Sequence, residues 1–192
     1  CVVVLWCART VAVEAMAMER ALFSIAGDVS FDVYTRCSLA KQRTAFPPSL
    51  ALAGVVDPTG AAASRVDACI TGVTLGLQLM DDLYDWEEDF ANGGAWMVAL
   101  SRRTGQTPPS ALAEARRCVF ASGILARTAE AAAIHFERAA LAAGQLEAKT
   151  LSRWAEQEAQ RALSVSSREL SSPGHALRER ALAPLLREVV AR

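Results

Sequence analysis

Histidine is nearly missing from this chain. His135 and His175 are the only two in 192 residues, and neither has an Asp, Ser or Cys constellation beside it in the sequence, so both read as surface or helix-end residues rather than catalysts. The five cysteines, Cys1, Cys7, Cys37, Cys69 and Cys118, contain no Cys-x-x-Cys pair. That spacing speaks against a zinc site or a disulfide framework and for reduced, buried thiols in a cytoplasmic protein. Charge of either sign is not in excess: the net value is −1 and no basic stripe is present, which excludes a nucleic-acid-binding footprint. Long apolar runs are absent too. Arg9 and Glu14 cut the N-terminal apolar stretch well short of the ~20 residues a membrane span needs, so no stable membrane insertion is expected. A basic start and a small-residue cleavage site, the marks of a signal peptide, are missing as well. Strand signals are confined to Val2–Val4, and no internal repeat or low-complexity linker occurs.

What is present is helix-forming. At 52% hydrophobic and 21% charged residues the chain belongs with folded globular proteins, and its richness in Ala, Leu, Glu, Arg and Met predicts an all-α bundle, one unit over residues 1–192. A first helix is expected from the start to Ile25, with Gly27 as its C-terminal cap. A second, capped by Asp28 or Ser30, should end near Phe46 because Pro47-Pro48 blocks its continuation. A short helix over Ser49–Val56 and a turn at Asp57-Pro-Thr-Gly60 lead into a long helix from Ala61 to Phe90, broken by Asn92-Gly93-Gly94. Further helices are expected over Trp96–Arg103, from a Ser110 cap to Ala143 with Gly144 as terminator, over Gln145–Leu170, and from a Ser171–Gly174 hinge to Arg192. Ser122-Gly123 could kink the Ser110–Ala143 helix. The opening Cys1-Val-Val-Val-Leu-Trp-Cys7 reads as the interior of a helix with no cap before it, so an N-terminal portion is expected to precede it.

The chemistry concentrates in Gln78-Leu-Met-Asp-Asp-Leu-Tyr-Asp-Trp-Glu-Glu-Asp89. At helical spacing Asp81, Asp85 and Asp89 fall one per turn along a single stripe. Stacked like charges repel, and carboxylates emerging from an apolar segment (Ile70, Val73, Leu75, Leu77, Leu79, Met80) need a compensating cation. Oxygen donors at this spacing suit a hard divalent ion, Mg²⁺ bridging to a substrate phosphate. The bland alternative is a solvated helix end that happens to be acidic. Gln78, one turn before the aspartates, adds a polar amide to the same side. Trp6, Trp86, Trp96 and Trp154 read as core, Trp86 with the reservation that an aromatic face can line a carbocation cavity. Tyr84 reads as packing, turned from the Asp81/Asp85 stripe.

Gln78, Asp81, Asp82 and Asp85 resemble, position by position, the second aspartate-rich motif, Gln-x-x-Asp-Asp-x-x-Asp, of the class I isoprenoid synthases, the trans-polyprenyl diphosphate synthases in particular. The resemblance implies a helical bundle of that type and a prenyl diphosphate substrate held by Mg²⁺. It further implies Asp81 and Asp85 as direct metal ligands, Asp82 nearer a second layer, and Gln78 facing the developing carbocation. Asp85-x-x-x-Asp89 also resembles the squalene and phytoene synthase branch, and the Asp81, Asp85, Asp89 triad resembles the metal triad of class I terpene cyclases, which adds Asp89 to the expected metal set. Lys41-Gln-Arg-Thr-Ala-Phe46 resembles the Lys-Thr element that precedes the motif. Arg43-Thr44 matches it best, with Lys41 as the alternative, so that Lys41 and Arg43 are expected on the diphosphate and Thr44 beside Gln78 at the reacting end.

Two departures accompany the likeness. The turn Asn92-Gly93-Gly94-Ala95-Trp96 lacks the lysine relatives carry there, and no Asp-Asp-x-x-Asp precedes residue 81. Glu14 and Glu19 read as ordinary polar positions. The likeness thus covers the C-terminal part of the family's fold and leaves three expectations: chain elongation with isopentenyl diphosphate, cyclisation, or a non-catalytic subunit of a heteromeric synthase. Gln78 and Arg43-Thr44 favour the first, and Asp89 with the missing lysine the second. The third rests on the absent first motif. Homodimer and heterodimer both stay open.

Overall fold

The computed structural model describes residues 2–24, 29–102 and 106–171, with side chains for all of these except 2–9, Ser24, Thr44 and 166–171. The Gly27 and Asp28 caps, the Ser171–Gly174 hinge, the final helix to Arg192 and His175 lie outside the described residues. Within them the chain is all-α, with no strand. Eight helices follow in order: α1 (Val2–Ser24), α2 (Phe31–Gln42), α3 (Pro47–Val56), α4 (Ala61–Ala91), α5 (Trp96–Ser101), α6 (Leu112–Ser122), α7 (Ile124–Gln145) and α8 (Lys149–Ser171), with a 3₁₀ turn at Arg43–Ala45. No described helix is long and apolar enough to cross a membrane.

The boundaries follow local chemistry. Ser30 caps α2, its hydroxyl accepting from the Val33 amide at 3.3 Å. Pro47 does not merely stop α2; it starts α3, because a proline at the first helical position gives up an amide that has no partner there anyway. Asp57 accepts from the Thr59 and Ala62 amides at 3.0 and 2.8 Å, and Gly60 takes φ +82° to launch α4.

The predicted single helix from Ser110 to Ala143 is two. Gly123 at φ +67° ends α6 and starts α7. Ala111, not Ser110, occupies the capping position of α6, and the Ser110 amide is instead satisfied by Glu114 Oε2 at 3.2 Å. Gly144 does not end α7. The helix runs to Gln145, and Glu147 takes the left-handed conformation at φ 58° while the Ala148 amide reaches back to the Ala143 carbonyl at 2.9 Å. That closing bond needs the left-handed residue three positions beyond Gly144, which moves the start of α8 from Gln145 to Lys149.

The centre of the bundle is α7, packed between α4 and α8. Its buried face is mostly alanine (Ala129, Ala132, Ala133, Ala139, Ala140, Ala143) interrupted by Phe136, so neighbouring backbones come close. On α4 the matching positions are glycines. A Cβ at Gly72 would stand 2.6 Å from the His135 carbonyl oxygen and 2.9 Å from the Ala139 nitrogen, and one at Gly76 2.8 Å from the Phe136 ring. Helical propensity alone favours alanine over glycine by up to about 1 kcal/mol, but backbone cannot yield as a flexible side chain can. Gly72→Ala is therefore expected to lower stability by about 1–3 kcal/mol, measured by urea unfolding. A variant as stable as the parent, or more so, would show that α4 and α7 do not approach this closely. Cys37 and Cys69 are free and buried and Cys118 is free and only half-buried, while the side chains of Cys1 and Cys7 lie outside the described residues.

Candidate functional site

Halfway along α4 the packing changes character. Its first half is locked on α7 by small residues; its second half meets α2 through polar side chains. Tyr34 and Gln42 stand two turns apart on α2, and Gln78 and Asp82 one turn apart on α4, so both pairs face each other across the crossing. The Tyr34 hydroxyl donates to Asp82 Oδ2 at 2.6 Å, Gln78 Nε2 donates to Asp82 Oδ1 at 3.1 Å, and Gln42 Nε2 donates to Gln78 Oε1 at 3.1 Å. Every donor in this chain leads to one carboxylate.

Asp82 is buried, at 4% exposure. Burial pushes its carboxyl up to about 6, against the opposing pull of the two hydrogen bonds and the Lys41 charge, with Asp89 adding to the rise. Burial and the Asp82 charge together push the Tyr34 hydroxyl far above its ordinary range, so it stays a donor at any working pH. A phenol needs such a partner inside a core. Tyr34 sits on the buried stripe Tyr34–Cys37–Ser38 of α2, and that spacing was the available sign of its role, unused in the motif reading.

The neighbouring acids lie differently. Asp81 and Asp85 are exposed and Asp89 is half-buried. The Asp89 carboxyl is held above the ordinary range first by burial, then by the charges of Asp81, Asp85, Glu88 and Glu19. Asp89 thus lies within reach of the Asp81 and Asp85 charges and of Glu88 and Glu19 as well, while Asp82 has both oxygens turned into the core. Among the described residues no three His, Cys, Asp or Glu side chains converge tightly enough to hold an ion by themselves. The donor set still fits Mg²⁺, which is bound through one or two carboxylates, substrate phosphates and several waters rather than in an all-protein cage.

A groove of about 480 Å³ opens beside Asp81, lined by Gln42 of α2, by Leu77, Gln78 and Met80 of α4, and by Glu158 and Arg161 of α8. Tyr84 also lines it and is 60% exposed. This corrects its reading as a packing residue: three positions beyond Asp81, it shares that residue's side of the helix. Trp86 is buried against Phe120, ring centroids 6.2 Å apart, and does not line this groove.

Glu19 is not an ordinary polar position either. Its Oε1 accepts from Lys41 Nζ at 2.6 Å and from Trp96 Nε1 at 2.5 Å, so the Lys41 charge is already matched by a carboxylate. The signal was the spacing Ala12, Ala15, Glu19, Leu22, which puts Glu19 on the inward stripe of α1. Arg43 is exposed on the 3₁₀ turn. The Thr44 side chain lies outside the described residues. His135 is half-buried, and burial with the nearby Arg138 charge holds its imidazole below the ordinary range. Comparison of the chain with protein-family models, with curated proteins and with solved structures finds no match.

Proposed function

We propose that this chain carries the diphosphate-ionising half-site of a class I isoprenoid synthase, acting on an allylic prenyl diphosphate, with chain elongation by isopentenyl diphosphate as the reaction. The observation that carries the reading is the division of labour on α4: Asp81 and Asp85 exposed and Asp89 half-buried on one stripe, while Asp82 is withdrawn to hold Gln78 in the lining of an open groove. Asp81, Asp85 and Asp89 would hold Mg²⁺ against the diphosphate, supplying Lewis-acid stabilisation of the departing group. The allylic C–O bond breaks with its electron pair leaving on diphosphate. The cation is then attacked by the double bond of isopentenyl diphosphate, and the coupled cation gives up a proton to the departed diphosphate, leaving a new double bond.

The residues of the chain have separate tasks in this scheme. The Gln78 amide oxygen offers a fixed dipole to positive charge without being basic enough to remove a proton. Leu77 and Met80 supply apolar wall against which the prenyl chain can lie. Arg43, exposed on its turn, is free to meet a phosphate; Lys41 can do so only in competition with Glu19. A second reading, cyclisation, draws on Asp89, one turn beyond Asp85 on the same stripe of α4, which with Asp81 makes a triad rather than a pair, and on the lysine missing after Asn92.

The test is incubation of the protein with Mg²⁺ and geranyl, farnesyl or geranylgeranyl diphosphate, each with and without isopentenyl diphosphate. Longer diphosphates establish elongation; cyclic hydrocarbons or alcohols establish cyclisation. Mg²⁺-dependent diphosphate binding without turnover would mark a non-catalytic subunit, and the lack of both would sink the reading. Asp81→Ala and Asp85→Ala should each cost about 10²–10³-fold in turnover, the scale of losing one transition-state charge contact. Full activity in either would remove that residue from the site.

A further inference from the structure

We infer that Tyr34 is a positioning residue for this site: through Asp82 it fixes the Gln78 side chain so that the amide oxygen, not the amide nitrogen, is presented toward Gln42 and the groove. The inference rests on the function proposed above for its consequence in catalysis, and on the geometry alone for the positioning itself.

A glutamine amide has two chemically opposite ends and turns easily about its last bond, so its orientation is set by whichever end has the better partner. Here the nitrogen faces a carboxylate at 3.1 Å, and a charged acceptor outcompetes a neutral one. That carboxylate is itself held in place, because the Tyr34 hydroxyl reaches its other oxygen at 2.6 Å from a wholly buried ring. The ring cannot drift: Trp96 packs edge-on against it at 4.9 Å and Phe31 at 6.5 Å. Gln42 closes the circuit by donating to the Gln78 oxygen at 3.1 Å, and it is also a lining residue of the groove. The order of donors is therefore fixed from the core outward. Without the Tyr34 hydroxyl, Asp82 has one donor fewer and its carboxylate is free to rotate toward Asp81 and the groove, and Gln78 can present its N–H groups where a cation would need an acceptor.

Tyr34→Phe tests this, with Tyr34→Phe/Asp82→Asn as its companion. The asparagine carries no charge that needs the phenol's hydrogen bond, and its Oδ1 can still accept from Gln78 Nε2, so the double variant keeps the Gln78 orientation that the single one loses. The first readout is the pair of Gln78 side-chain amide proton resonances by NMR, which requires no substrate. They should move in Tyr34→Phe and return toward the parent position in the double variant. Unchanged resonances in Tyr34→Phe overturn the inference whatever the activity. The second readout is the partition of product from an allylic diphosphate between coupled or cyclised product and the simple alcohol formed by water. Tyr34→Phe should shift it roughly tenfold toward alcohol, the scale of one hydrogen bond to a charged group, with the KM for diphosphate unchanged. A purely structural role would lower the amount of active protein and leave the partition alone, and that result would overturn the inference. If the parent turns over no prenyl diphosphate, the proposed reaction falls while the NMR comparison still decides the positioning.

Discussion

Phe136→Ala is expected to cost about 3–5 kcal/mol of stability, the range for a fully buried aromatic residue. The side chain has no measurable exposure. It lies against the bare backbone of Gly76 on one side and edge-on to Trp154, 5.9 Å between centroids, on the other. It thus joins the three principal helices, α4, α7 and α8, at one point. Gly76→Ala supplies the internal control, because its new methyl would stand 2.8 Å from the ring. In the parent that overpacking should cost about 1–3 kcal/mol. In the Phe136→Ala background the same methyl enters the vacated volume and the cost should vanish or reverse. The two substitutions are therefore strongly non-additive. Equal effects of Gly76→Ala in both backgrounds, read from urea midpoints at constant slope, would show that the ring does not sit where the crossing requires it.

The second large effect concerns Asp82. Its carboxyl, pushed from the ordinary 3.8 up to about 6 by burial, holds a proton in the folded chain that the unfolded chain has already lost between those two values. Stability linked to this group is fully present below about pH 4, falls as pH rises toward 6, and then levels off at a loss of about 3 kcal/mol. Other carboxylates act in the opposite sense; Glu87, held low by its hydrogen bonds to Arg116, is one of them. The informative quantity is thus the difference between the parent and Asp82→Asn, measured by denaturant unfolding from pH 4 to 8 in the presence of a chelator. That difference should move by about 3 kcal/mol against the parent as pH rises. A flat difference would mean that Asp82 is not desolvated as its position indicates.

Part of the fold is legible in the sequence. The long α4 helix was legible almost to the residue, because a glycine turn precedes it, Asn92-Gly93 follows it, and nothing between breaks the pattern. The Asp81–Asp85–Asp89 stripe was legible from spacing, since helix geometry dictates which residues share a face. What was not legible came from partners distant in sequence. Nothing near Glu19 announces Lys41 or Trp96, and Tyr34 stands 48 positions from the carboxylate it holds. Gly123 was visible as a small residue in an alanine-rich run, but whether such a residue kinks a helix or splits it depends on what α6 and α7 pack against. Tyr84 escapes a reading based on one stripe because a helix face is broader than that stripe, so a residue three positions beyond Asp81 reaches the same groove.

Glu19 has a consequence for the order in which the molecule assembles. One oxygen atom ties α1 to α2, 22 positions away, and to the first residue of α5, 77 positions away. On a ribosome adding roughly 5–20 residues per second, the second tie arrives about 4–15 s after Glu19 itself is made. Throughout that interval α1 lacks its partner on α5, with Val11, Val13, Met16 and Met18 exposed among the described residues. The α7–α8 pair, neighbours along the chain, needs no such wait, but α4 meets α7 across 60 positions, from Gly76 to Phe136, and waits nearly as long. Both ties of Glu19 are available once Trp96 is made, before any of α7 exists, so the nascent protein would secure the α1–α2–α5 corner first and close the α4–α7–α8 bundle onto it later.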